Sequence, residues 1–329
     1  MGALTIDIMM LLKDFKCSTK LLTGTLRYVS IVVFILCEHL FQSKMLAAEQ
    51  ALSKPASETT SLKAKALKAR HEELNKQLLK SLFKRPLYLY SEEAEGSLKG
   101  EIYAAVDYPF ATFNLAFNNP AHWCNALILN INVKYCYMKN NQDGNVMLLN
   151  MGKKTIQPLN QTYRIVFNYK ETISTPNYFS SELDSKNGPL GTYDYRILIE
   201  ATPLNDGQTF LHFTYAYSFG VTGRLAMQTY LATIGRNKVG FTYEEKLSEA
   251  NATNIKGIRG LVERNTMRYY LAIESYLASM AHSSEQQFEY SLQHWYNGSE
   301  QYALQLHEVE KNDYFDMKRS ELIRQQVAQ

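Results

Sequence analysis

The sequence predicts an α+β protein, a curved antiparallel sheet closing around a helix, followed by an all-helical extension. Three observations predict it. Alternating, aromatic-rich segments joined by turn residues fill the stretch from residue 86 to 219. Two short helical pieces, divided at Asn119-Pro120, separate the first two of these strands from the others. Beyond Gly260 helical spacing continues to the C-terminus, with no proline and with Gly298 as the sole later glycine.

The first 48 residues form their own compositional class. Lys13, Lys16, Lys20 and Arg27 precede an apolar run, Tyr28 to Phe41, which ends near the small-residue site Leu46-Ala47-Ala48. This reads as a cleaved export signal, with the bacterial periplasm as destination. The alternative is an uncleaved membrane anchor, although the uninterrupted apolar core, Val29 to Cys37, is shorter than the ~20 residues of a span. Residues 49–85 then read as a linker and an amphipathic helix. Leu67, Leu74, Leu78 and Leu82 form its stripe, and Pro86 stops it.

The sheet domain is expected over residues 86–245. Its strands are Leu87 to Tyr90, Gly100 to Asp107, Asn132 to Met138, Asn145 to Met151, Tyr163 to Tyr169, and the hairpin Thr192 to Glu200 with Gln208 to Phe219. Turns fall at Asn140 to Gly144, Gly188 to Gly191 and Asn205-Asp206-Gly207. Val221 to Ile234 has helical spacing, with Leu225, Tyr230 and Leu231 as its inward stripe, and is expected to close the sheet. Residues 246–329 form the helical extension, with helices from about 260, over 286–306 and over 313–324.

Composition narrows the function classes. The chain is 46% hydrophobic and 20% charged, an ordinary globular balance, and its net charge is +3, much of it in the first 48 residues. Without them no basic surplus remains to drive nucleic-acid binding. The outlier is tyrosine, 23 against 2 tryptophans, which fits either half-exposed strand faces or a wet, aromatic-lined pocket. No nucleophile elbow, phosphate loop, dinucleotide fingerprint or His-Glu-x-x-His is present. Nothing calls for a cofactor or a metal.

Cys124 and Cys136 are the cysteines outside the leader, and in an exported chain they read as a disulfide; in a reducing compartment they would be two thiols. Asp194, Arg196 and Glu200 share one strand face, and Tyr193, Tyr195, Ile197 and Ile199 the other. The charged face is expected to point to solvent, because buried charge is costly; turned inward, Arg196 would hold a carboxylate or phosphate. His212 alternates with Leu211, Phe213, Tyr215 and Tyr217, and Arg164 with Tyr163 and Ile165. His212 is either an acid/base or a satisfied histidine. Arg264 and Arg268 either pair within their helix or meet an anionic headgroup at a cavity mouth.

Gly100 to Phe110, the helical lead to Asn119-Pro-Ala-His-Trp123 and the closing strand and helix, Gln208 to Gly235, resemble the START-like, or SRPBCC, helix-grip superfamily over residues 86 to 243. Arg85 to Tyr90 and His122 to Cys124 are also similar to an exported bacterial family of no assigned activity. The superfamily resemblance implies a cavity between sheet and closing helix. Relatives bind sterols, phospholipids, polyketides or plant hormones, and some are enzymes.

The expected function is therefore an exported binding protein for a lipid or other hydrophobic small molecule. The expected lining is Trp123, Tyr163, Arg164, Tyr193, Tyr195, Arg196, His212, Tyr215 and Tyr217, with Trp123 more a core anchor than a stacker. One alternative is an enzyme on this scaffold acting on a bulky apolar substrate by acid/base chemistry from His212, Arg196 or a tyrosine. Another is an interaction module using residues 260–329 against a protein partner.

Overall fold

A computed structural model describes residues 57–327 apart from 142–143, 171, 205–206 and 245–252; the expected leader and most of the linker lie outside the described residues. From Thr60 onward the chain is one compact unit.

Helix α1 (57–79) is followed by the hairpin β1 (Leu87–Ala94) and β2 (Ser97–Val106). Helices α2 (Phe110–Phe117) and α3 (His122–Leu127) come next, then strands β3 (Val133–Asn141), β4 (Gly144–Met151), β5 (Tyr163–Tyr169), β6 (Ile173–Thr175), β7 (Tyr178–Asn187), β8 (Thr192–Pro203) and β9 (Thr209–Phe219). Five more helices end the chain: α4 (Val221–Ala232), α5 (Gly257–Ser279), α6 (Ser284–Glu300), α7 (Ala303–Leu306) and α8 (Lys311–Val327).

The sheet is antiparallel and runs β1-β2-β9-β8-β7-β5-β4-β3, with β6 beside β7. The strand before the short helices thus pairs with the last strand, and the intervening hairpins fan out from it. The β5–β7 register holds at two residue pairs, Asn168 with Asp184 and Tyr169 with Leu183. The sheet splays there, which gives it the curvature needed to wrap a helix.

The wrapped helix is α5, not the segment after Phe219. Nearly every residue of α5 from Val262 to Ser279 is buried, whereas α4 buries Gly223 and Met227 and leaves Leu225 62% exposed. The expected inward stripe of α4 fails at Leu225, while Leu231 packs against the core, and the closing role expected of α4 falls to the first helix of the extension. Its approach to β2 is close. A Cβ on Gly100 would lie 2.1 Å from Thr266 Oγ1, so a glycine in mid-strand lets the helix seat. Glu263 ties the chain before α5 to it. Its buried carboxylate accepts the N–H groups of Phe241 and Thr242, at 2.6 and 2.9 Å, and the Ser91 hydroxyl at 2.6 Å.

The two sheet faces have different covers. Ile102, Ile197, Ile199 and Phe213 turn to α5, whose second half is backed by α2 and α3 through Phe113, Phe117 and Trp123. On the outer face Leu67, Leu74 and Leu78 of α1 pack over Tyr103, Tyr178 and Phe210. Helix α1 stops at residue 79, so Leu82, expected in its stripe, is exposed. Strand β7 was not foreseen: its buried positions include Ser181 and Ser185, which hide the alternation. Cys124 of α3 is disulfide-bonded to Cys136 of β3, with their Cα atoms 5.2 Å apart. The last helix docks on the same strand, where Gln325 Oε1 accepts the Cys136 N–H at 3.1 Å.

Candidate functional site

The inner sheet face changes character along its strands. At the α2–α3 end Ile199, Ala201, Leu211 and Phe213 have essentially no accessible surface. At the α4 end four tyrosines meet. Tyr195 stacks on Tyr217 with ring centroids 5.2 Å apart, Tyr215 lies 5.5 Å from Tyr217, and Tyr269 of α5 lies 5.1 Å from Tyr215.

Tyr195, Tyr215, Tyr217 and Met227 are all buried, with 7%, 6%, 5% and 8% of their surface accessible. Burial raises the Tyr195 phenol to about 12 and pushes Tyr215, Tyr217 and Tyr269 well above the ordinary phenol value. All four are neutral hydroxyls near neutral pH. Tyr195 shares its hydroxyl with Thr192 Oγ1 at 2.8 Å, and the Tyr217 hydroxyl reaches a thioether, Met227 Sδ, at 3.6 Å.

Charge lies beside this aromatic group. Arg264 and Arg268 are one turn apart on α5 and both buried. Arg268 Nη2 donates to Glu308 Oε1 at 2.5 Å, and Lys154, after β4, reaches the same oxygen at 2.6 Å and Tyr230 of α4 at 3.1 Å. Lys238, between α4 and α5, donates to the His307 carbonyl. Burial raises the Glu308 carboxyl, but Arg268 and Lys154 outweigh it and hold it below the ordinary value.

The expected lining divides. Tyr195, Tyr215 and Tyr217 face the interior. Trp123 is buried against Phe117, a core anchor as expected. Tyr163 has the inward parity of Ile165 but stands at the strand end, 50% exposed, and Arg164 is exposed. Tyr193 is 41% exposed because a bulge between it and Arg196 shifts the alternation, with Asp194 in the left-handed region at φ 50°. Arg196 points outward and pairs with Glu182 at 2.9 Å, so the charged face is the outer one, as expected.

His212 is on the outer face too, under α1. Its Nδ1 lies 2.9 Å from Glu200 and its Nε2 3.3 Å from Glu101, while its ring stacks on Tyr103 at 4.3 Å. Burial lowers its pKa, but the two glutamates outweigh that and raise it above the ordinary value. It is a satisfied histidine, and neither it nor Arg196 offers acid/base chemistry to the tyrosine space.

Tyr269, Met227 and Glu308 went unnoticed in the sequence because they lie on or beyond helices whose place in the fold was misjudged. The i, i+4 spacing of Arg264 and Arg268 was the available signal. A separate groove of about 450 Å³ lies between α1 and the outer face, lined by Lys68, His71, Leu78, Pro86 and Pro203 among others. Among the described residues no group of His, Cys, Asp or Glu is arranged to hold a metal, and no helix is long and apolar enough to cross a membrane.

No family model and no curated protein matches the chain. Solved structures do: Ara h 8.0201, at 10% identity over 59% of this chain and 99% of that one with a TM-score of 0.32, and the ZhuI aromatase/cyclase of a Streptomyces, at 10% identity over 57% and 98% with a TM-score of 0.35. At such scores these likenesses decide nothing about ligand or activity. The helix-grip arrangement rests on the strand order, the two short helices after the first paired strand, and the buried α5.

Proposed function

We propose that this chain is a binding protein for a hydrophobic small molecule or lipid, held in the tyrosine-bordered space between the curved sheet, α4 and α5. The observation that carries this reading is the convergence of Tyr195, Tyr215, Tyr217 and Tyr269 on one end of the inner sheet face, beside a helix, α4, that buries only Gly223 and Met227. An aromatic lining with a few hydroxyls is what an apolar ligand with one or two polar atoms fits. Helix α4, partly exposed and buried at few positions, is the element that can move to admit it.

Native purification with organic extraction and mass spectrometry tests the reading. A stoichiometric apolar molecule is the expected outcome. Tyr215→Trp, which adds bulk among the rings, should release it in a chain that still shows the parent's circular dichroism spectrum. A ligand that survives Tyr215→Trp would bind elsewhere and sink the assignment of this space.

Export to an oxidising compartment is part of the proposal. The Cys124–Cys136 bridge supports it, since structural disulfides persist where thiols are not kept reduced. Intact mass of the protein from the periplasmic fraction, with a mature N-terminus near residue 49, is the corresponding measurement; full-length protein in the cytoplasm would overturn it.

A further inference from the structure

Two clusters bury more cations than carboxylates, and they differ in one respect. In the first, Lys134 Nζ donates to Ile131 O, Met317 Sδ and Glu321, and Lys318 Nζ donates to Asn130 O, Val133 O and Glu321, so each ammonium has three acceptors. That contact is complete and needs no ligand. The second, on α5, is incomplete. Arg264 is fully buried, and its hydrogen bond goes from Nη1 to a neutral acceptor, the Val239 carbonyl at 3.2 Å. Among the described residues its Nε and Nη2 make no hydrogen bond of good geometry, and neither does Arg268 Nε; the other group that acts on Arg264 at close range is the neutral Tyr230 hydroxyl. Four cations, Arg264, Arg268, Lys154 and Lys238, stand around Glu308: among the described residues Arg268 and Lys154 contact it, and Arg264 and Lys238 feel it only electrostatically.

A guanidinium stripped of water and left unpaired is among the costliest groups a fold can hold. The missing partner should bring negative charge and two or three acceptor oxygens in the plane of the arginine fork. The cluster also borders the tyrosine group: Arg268 acts electrostatically on Tyr269, whose ring packs on Tyr215. Lys154 lies over the Tyr230 ring at 5.2 Å.

We propose that Arg264, Arg268, Lys238 and Lys154 form a binding site for an oxyanion, a carboxylate or a phosphate. As the polar end of the apolar ligand, the oxyanion rests on the reading above; as a free ion, it does not. Because Arg264 is covered, the oxyanion displaces the Val239 carbonyl from it, exchanging a neutral acceptor for a charged one.

The test uses the full chain with three probes at fixed ionic strength, namely inorganic phosphate, decanoate and decanol, read by calorimetric titration and by the thermal midpoint. Decanoate should bind about tenfold or more tighter than decanol, the margin of a charge-assisted pair. Arg264→Met should bring that ratio close to one with decanol affinity unchanged. Lys238→Met, at a half-buried position, should reduce it in the same sense and keeps the test usable if Arg264→Met fails to fold. Decanol and decanoate binding equally, with phosphate inert, would overturn the oxyanion site and leave the apolar reading standing. Phosphate binding that is lost in Arg264→Met, with decanol inert, would support the site as one for a free ion and overturn the apolar reading. If none of the three binds, both fall.

Discussion

Lys134, Lys318 and Glu321 show how unequal the members of one buried cluster are. Glu321 serves two ammonium groups, each fully buried. Replacing Lys318 with Met leaves one lysine and one glutamate, a balanced pair, and should change stability by less than about 1.5 kcal/mol. Replacing Glu321 with Gln strands two charges and should cost about 3–5 kcal/mol. Urea unfolding of both variants checks the asymmetry, and equal losses would refute it. Burial, opposed by Glu321, lowers the Lys318 pKa from 10.5 to about 8. Between those values the unfolded chain binds more protons than the folded one, so stability should rise with pH from about 8 towards 10.5, and Lys318→Met should reduce that rise, Lys134, also lowered by burial, keeping part of it. His212 works with the opposite sign. Its pKa is raised above 6.5, so its contribution is full below 6.5 and fades as pH climbs through the folded value. Glu101 and Glu200, held below 4.5 despite burial by their bonds to His212, lose theirs as pH falls through their folded values. His212→Gln should flatten the loss above pH 6.5, measured as unfolding free energy against pH.

Helix α5 and the strand beneath it fit through one missing side chain. Gly100 faces Thr266, and a methyl group there collides with its hydroxyl. Gly100→Ala should destabilise by about 1–3 kcal/mol, the usual cost of overpacking, and Thr266→Ala in the same chain should recover a substantial part. A double variant no better than the single would place the strain in the strand and not in the contact. This contact also explains what the sequence could and could not reveal. The hairpin of β8 and β9 was legible because Ile197, Ile199, Phe213 and Tyr215 alternate with polar neighbours. The gripped helix was not, because α5 is buried all round and carries Glu263, Arg264, Thr266 and Arg268 inside, so it shows no polar face. The tyrosines of the candidate site were legible by parity along β8 and β9, and parity failed at Tyr193, where a bulge moves the count by one. The partner of Arg268 was beyond reach, since Glu308 meets it, together with Lys154, from segments far apart in the chain.

At the scale of the whole molecule the C-terminal helices finish the sheet and are no detachable module. The strand order leaves β3 at an edge, an open ladder that other chains can extend. Helix α8 packs on it, burying Tyr314 and Met317 in the core and adding polar contacts: Gln325 accepts the Cys136 N–H, Lys318 donates to the carbonyls of Asn130 and Val133, and Tyr314 donates to the Leu129 carbonyl at 2.7 Å. That polarity is why the sequence reads α8 as a surface helix. It also means that removing the helix exposes a strand edge and its carbonyls together with Cys136, Leu149 and the apolar layer behind them. A chain ending at residue 310 should therefore unfold several degrees earlier and self-associate, as measured by thermal melting and light scattering. A monomer that melts where the full chain does would show that β3 is covered by something other than α8. The two outcomes bear on function as well. If the edge needs α8, the tail is committed to the fold, and ligand recognition falls to α4, α5 and the tyrosine face between them.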